Sequence, residues 1–240
     1  MFAKTLTVAL CAISLLTLPT SASPWGKPWP KPRGDPTTLS RLVMPSSTLP
    51  PPTGLVLKFV GLGIGTQNYT CATPSSIAVP ASDGALATLY DLGTRLNTDP
   101  MATWKIGSLS GLALSLSSYT NILDVYLQSQ GYSRVLGKHF FTSAMVPTFS
   151  LLDVLPPPIP QVNGKKNATM AAPANSCPGQ DNEGAVPWLY LTDNGGSTGG
   201  VNTVYRIETA GGQPPATCDE MDATFTVPYA AQYWIYGPAS

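Results

Sequence analysis

His139 is the single imidazole in this chain, and any acid–base or metal chemistry that needs one must pass through it. One histidine excludes a histidine-rich metal centre, and no spacing of carboxylates around it marks a mixed one. A nucleophilic triad would join His139 to a serine and an acid, yet none of the many serines is singled out by a nucleophile elbow, a sharp turn between a strand and a helix. Asp91, Asp153, Asp181, Glu183, Glu208, Asp219 and Glu220 are scattered in the way surface carboxylates are, so no acid/base couple selects itself. If the chain is a hydrolase or a metal-dependent enzyme, His139 and Arg206 are its catalytic candidates. Flanked by Lys138, Phe140 and Phe141, His139 reads more readily as a hydrogen-bonded structural residue of a strand. The balance is against catalysis, and no metal is expected.

Two further patterns could do chemistry. Gly61-Leu-Gly63-Ile-Gly65, with Asp83 about 20 residues on, has the outline of a dinucleotide-binding loop. Its third glycine position holds Thr66, and Gln67-Asn-Tyr-Thr70 follows where a helix should aim its N-terminus at a pyrophosphate. The cluster is therefore read as a glycine turn between two strands; a nicotinamide-dependent dehydrogenase is not expected, and no cofactor is. The second pattern is aromatic. Trp188, Tyr190, Tyr205, Tyr233 and Trp234 could stack on a sugar or another ligand, with hydroxyls at the rim. Period two would send part of this set into a core instead.

The elements that must position these residues are mostly strands. Leu55–Val60, Gln67–Cys71, Ala85–Tyr90, His139–Thr142, Thr148–Leu152, Trp188–Thr192, Val201–Glu208 and Ala223–Tyr236 carry β-branched and aromatic residues between glycine and proline breaks. A kink is expected at Pro228, and Leu155–Pro160 is a proline-rich break. Trp104–Leu116 is ambiguous. Ser118–Gln130 reads as a helix capped by Ser118, with Ile122, Leu123, Tyr126 and Leu127 on one face and Gly131 ending it. The expected fold is all-β, a sandwich or barrel with one short helical insertion.

An apolar run from Leu6 to Leu18, led by Lys4 and followed by small residues, predicts a signal peptide over residues 1–22. Residues 23–53, with two Pro-Trp pairs and Pro50-Pro51-Pro52, predict an irregular proline-rich arm in which Trp25 and Trp29 are either a recognition element or packed back on the domain. A single β-rich domain is expected over 54–237, with a tail at 238–240. Acidic and basic residues balance at 13 each, which leaves no electrostatic footprint for nucleic acid. No membrane span is expected. The protein is expected outside the cell or in the cell wall.

In that compartment thiols oxidise. Loss of Cys11 with the leader leaves three cysteines; Cys71 and Cys218 are the candidate bridge, and Cys177 is the candidate for the one left over. Asn68-Tyr-Thr70 and Asn167-Ala-Thr169 are glycosylation sequons. Asn167 is preferred because its neighbours read as an exposed loop, whereas Asn68 falls in a strand.

Gly65–Cys71, Ala87–Asp91, Gly137–Phe140, Val186–Leu189, Tyr205-Arg206, Thr209–Gly212 with Pro215 and Cys218, and Tyr229–Tyr236 occur in that order along the chain. In these blocks the chain resembles a family of secreted fungal and bacterial proteins, domain of unknown function 3455, over roughly Leu55 to Tyr236. The resemblance implies an extracellular β-rich domain and supports the Cys71–Cys218 bridge; it brings no catalytic residue. The first expectation is thus a non-catalytic exported module that binds cell-wall glycan or a small ligand through its aromatic strands. The alternatives are the enzyme using His139 and Arg206, and a host- or surface-interacting structural protein.

Overall fold

The computed structural model describes residues 39–75 and 77–239. The segment expected to be a signal peptide and the first part of the expected arm, with Trp25 and Trp29, lie outside the described residues. Eight strands close into one antiparallel barrel: β1 (Leu55–Thr70), β2 (Ala81–Asp91), β3 (Val135–Phe141), β4 (Pro147–Ser150), β5 (Gln161–Met170), β6 (Trp188–Asp193), β7 (Thr203–Gly211) and β8 (Thr224–Pro238). Each pairs with the next in sequence, and β8 returns to β1 along nearly its whole length. Closure removes the unpaired edges of a sheet and decides between the sandwich and the barrel.

The glycine cluster corrects the expected turn. Gly61, Gly63 and Gly65 lie inside one continuous strand, paired to β2 on one side and β8 on the other. With period two, the three glycines face inward while Val60, Leu62 and Ile64 face out. A Cβ on Gly63 would run into the Tyr233 ring, and one on Gly65 would strike the backbone of Leu86 and Ala87. The glycines are cut-outs that let the inner side chains and the opposite wall come close.

The inner core contains Leu89, Leu136, Phe149, Leu151, Val162, Leu191, Val204, Tyr229, Tyr233 and Ile235. A second core lies outside the wall, where Val60, Leu62, Tyr205, Trp188, Trp234 and Tyr236 meet helices. This explains why β8 reads as one apolar run: it is buried on both faces, as Ala230, Ala231, Tyr233, Trp234 and Ile235 show. Pro228 sits where the pairing with β7 has ended, a position that tolerates a missing donor.

The helical insertion is larger than expected. Between β2 and β3 run α1 (Gly93–Leu96), α2 (Ala102–Ser117) and α3 (Thr120–Gln130). In α2 the buried residues Ala102, Ile106, Leu109 and Ala113 follow a helical period. The alternating Leu112-Ala-Leu-Ser-Leu116 imitates a strand and obscured it. Ser118 caps the C-terminus of α2 and not the start of α3. Gly131 ends α3 in a left-handed conformation, as its sequence placement predicts.

Residues 39–53 lie against the barrel: Leu39 and Leu49 are buried, and the Tyr205 hydroxyl donates to the Pro50 carbonyl at 2.7 Å. Cys71, just after β1, and Cys218, before β8, form a disulfide with a Cα–Cα distance of 5.8 Å across 147 residues of sequence. In the chain-entropy picture a loop of that length contributes ~5 kcal/mol. Cys177 is also disulfide-bonded, so the expectation of an unpaired thiol there does not hold.

Candidate functional site

Register places the sequence's chemical candidates on the inner wall. Arg206 in β7 opposes Tyr233 in β8 and Leu189 in β6, while His139 in β3 opposes Ala87 in β2 and Phe149 in β4. Both side chains are therefore inside the barrel, and both are buried.

His139 lies face to face on Phe149, with centroids 4.2 Å apart and planes 5° from parallel, and tilts against Tyr233 and Phe141 at 5.3 and 5.5 Å. Its Nδ1 is 3.0 Å from the Thr148 carbonyl. A carbonyl only accepts, so this nitrogen carries the proton and Nε2 does not. Desolvation in the closed barrel holds the imidazole pKa down to about 4; the Thr148 carbonyl opposes that shift, and the Arg206 charge adds to it.

Arg206 donates from Nε and Nη2 to the Pro187 carbonyl at 3.2 and 2.9 Å. Among the described residues the ion pairs are Lys105–Asp99 and Arg134–Asp91, so no carboxylate neutralises the guanidinium. It sits instead beside the Tyr233 hydroxyl, which is 2.8 Å from the Tyr229 hydroxyl. Burial raises both phenol pKa values above the ordinary tyrosine range. Gln67 lies beside Tyr229 and opposes that rise.

Chemically, this is a row of polar groups sealed among aromatic rings. Neutral at ordinary pH, His139 has a backbone partner, and no carboxylate stands beside it to orient or balance it. Among the described residues no three histidine, cysteine or acidic side chains are grouped to hold a metal. The interior is filled by the rings it contains: Tyr229, Tyr233 and Phe149 are essentially inaccessible.

The five aromatic candidates do not share one surface. Tyr233 points inward; Trp188, Tyr205 and Trp234 are buried in the outer core under the helices and the arm. Tyr190, half-buried, packs at 5.0 Å on Tyr205. The Trp234 Nε1 donates to Gln232 Oε1 at 3.3 Å, and the Gln232 amide donates to the Ile106 carbonyl of α2 at 2.7 Å. These rings join wall to helix, which leaves no open face for a sugar.

An open space lies elsewhere, on the outer face of β3, β4 and β5, where a cleft of about 270 Å³ is lined by Phe140, Thr142, Val146, Thr148, Gln161, Asn163, Asn194 and Gly195. Phe140 is the outward neighbour of His139, so one Phe in the motif marks the cleft while the imidazole beside it is sealed away. Sequence reasoning missed the cleft because it missed β5, whose Asn163-Gly-Lys-Lys-Asn167 run has the composition of a loop. Strand alternation survives in the inward Val162 and Gly164, the one signal that could have revealed it. Asn167 consequently lies in a strand, at an irregularity in the pairing with β6, and not in the expected loop. It is exposed and donates to the Thr192 hydroxyl, whereas Asn68 is half-buried in β1.

A family model described as a protein of unknown function, DUF3455, matches residues 51–237. The chain belongs to this family. The matched span of the DUF3455 member takes in the whole barrel, the helical insertion, the Cys71–Cys218 bridge and the cleft. No curated protein and no solved structure matches it.

Proposed function

We propose that this protein is an exported, non-catalytic module that binds cell-wall glycan or a small neutral ligand on the outer wall of its barrel. The observation that carries the reading is an open cleft at Phe140 lined by hydroxyl and amide side chains, while His139 and Arg206 are buried inside the barrel. The Cys71–Cys218 bridge suits an oxidising compartment, and the apolar leader supplies the route to it. No described helix is long and apolar enough to cross a membrane. The exposed Lys138, Lys165 and Lys166 on the strands around the cleft differ from the apolar band of a barrel that sits in lipid.

Incubation of the secreted protein with insoluble chitin, cellulose or β-glucan tests the reading. Retention that competes with the soluble oligomer supports it; absence of retention on all of them, with no small neutral ligand raising the melting temperature, contradicts it. Export carries its own check. Secretion from a eukaryotic host should leave a glycan on Asn167, seen as a glycosidase-sensitive mass increment that disappears in Asn167→Gln.

A further inference from the structure

We infer that the cleft at Phe140 is a subsite for one uncharged sugar ring, with the ring of Phe140 as its stacking face and Thr142, Gln161 and Asn194 as its hydrogen-bonding groups. The inference rests on the preceding reading, that ligands bind on the outer wall, and adds the place and the ligand class.

The lining residues decide the class. None of them is charged, so neither a carboxylate nor an ammonium group of a ligand would find an opposite charge in the lining itself; Lys138 and Lys165 stand outside it on the same strands, so an acidic oligomer belongs in the test. Five carry hydroxyls or amides: Thr142, Thr148, Gln161, Asn163 and Asn194. Such groups both donate and accept, which matches the mixed demands of sugar hydroxyls. Phe140 supplies an apolar surface for the C–H face of a pyranose. At about 270 Å³, the space falls just short of the roughly 300 Å³ at which sites for drug-sized ligands begin, and suits one ring with its substituents.

Hydrogen bonds that are already spent separate the scaffold from the free groups. Asn163 is scaffold: its Oδ1 accepts from Gln161 Nε2 at 3.0 Å, and its Nδ2 faces the carbonyls of Gly195 and Gly196 at 3.4 and 3.3 Å. Its backbone N–H donates to the Ser197 hydroxyl at 3.1 Å. From the other side the Asp193 carboxylate accepts from the Gly195 N–H at 2.9 Å and from the Ser197 hydroxyl. The loop that presents Asn194 is thereby fixed before any ligand arrives, which lowers the ordering cost of binding. Thr148 donates its hydroxyl back to Val146 at 3.2 Å. Left over are the side-chain amide of Asn194, Oε1 of Gln161 and the hydroxyl proton of Thr142, whose oxygen already accepts from the Val146 N–H at 3.2 Å. One donor–acceptor pair, one acceptor and one donor therefore line the same cleft as the Phe140 ring.

The test is calorimetric titration of the folded protein with soluble oligomers of chitin, cellulose and laminarin, and with polygalacturonate as an acidic comparison. At least one neutral oligomer should bind. Phe140→Ala should weaken it roughly tenfold, Phe140→Tyr should retain it, and Asn194→Ala should weaken it roughly fivefold, with cooperative melting within a few degrees of the wild type. If the wild type binds a neutral oligomer and both alanine variants bind it equally well, the subsite is wrong while an outer-wall binding module survives. Preference for polygalacturonate would overturn the ligand class. Failure of the wild type to bind any neutral oligomer or its polymer would overturn the inference and the underlying reading together.

Discussion

The inner and outer walls of β3 differ by one step along the chain and by everything else that matters chemically. His139 points inward to a stack of rings, a backbone carbonyl and a buried cation; Phe140 points outward to a cleft with unspent hydrogen-bonding groups. Residue type alone makes His139 the reactive candidate and Phe140 an inert one. Burial reverses the ranking. A side chain that cannot meet solvent contributes to folding, whereas a modest ring beside free amides can contribute to recognition.

Substitutions on the two walls should therefore have opposite consequences. Gly65→Val should have the largest effect, because its side chain would strike the Leu86 and Ala87 backbone, which cannot rotate away as a side chain can. A loss of about 3 kcal/mol or more in urea unfolding, or failure to accumulate folded protein, is expected.

Next in size is the pH dependence of the inner wall. In the unfolded chain His139 takes up a proton as pH falls below 6.5, while the folded barrel resists protonation down to about 4. Acid therefore favours the unfolded state in this window. Stability is greatest above the unfolded pKa and declines as pH falls through it, by about 3 kcal/mol at the folded pKa and below. Unfolding curves from neutral pH to about 4 would check this, and His139→Leu should remove that part of the slope. A slope unchanged in the variant would assign the acid sensitivity to carboxylates.

Phe140→Ala sits at the small end for stability, with under about 1 kcal/mol expected in the same unfolding assay because the ring is only half-buried. Its effect belongs in ligand titration. A large stability loss there would erase the contrast between the walls, since the outer ring would then also be core.

How much of this could be read from the chain depends on which face a residue occupies. Strands with one apolar and one polar face, such as β2, were legible, as were the left-handed stop at Gly131 and the pairing of Cys71 with Cys218. Three features misled. The Gly61–Gly65 cluster looks like a turn because nothing local shows that Tyr233 will fill the space in front of it. The helix α2 carries leucines at strand spacing, and β5 is polar because its outer face is bare. His139 and Arg206, the catalytic candidates of the sequence, share the barrel interior. Their roles were illegible, since burial and the absence of a paired carboxylate emerge only when strands distant in sequence close the barrel.

Because the chain has one histidine, its imidazole signals in an NMR spectrum are unambiguous and report directly on the sealed inner wall. The account predicts a neutral ring protonated at Nδ1, unchanged from neutral pH to about one unit above its folded pKa of about 4, and indifferent to a saturating neutral oligosaccharide. Titration near the ordinary histidine value of 6.5, or a shift of these signals when the ligand binds, would contradict it.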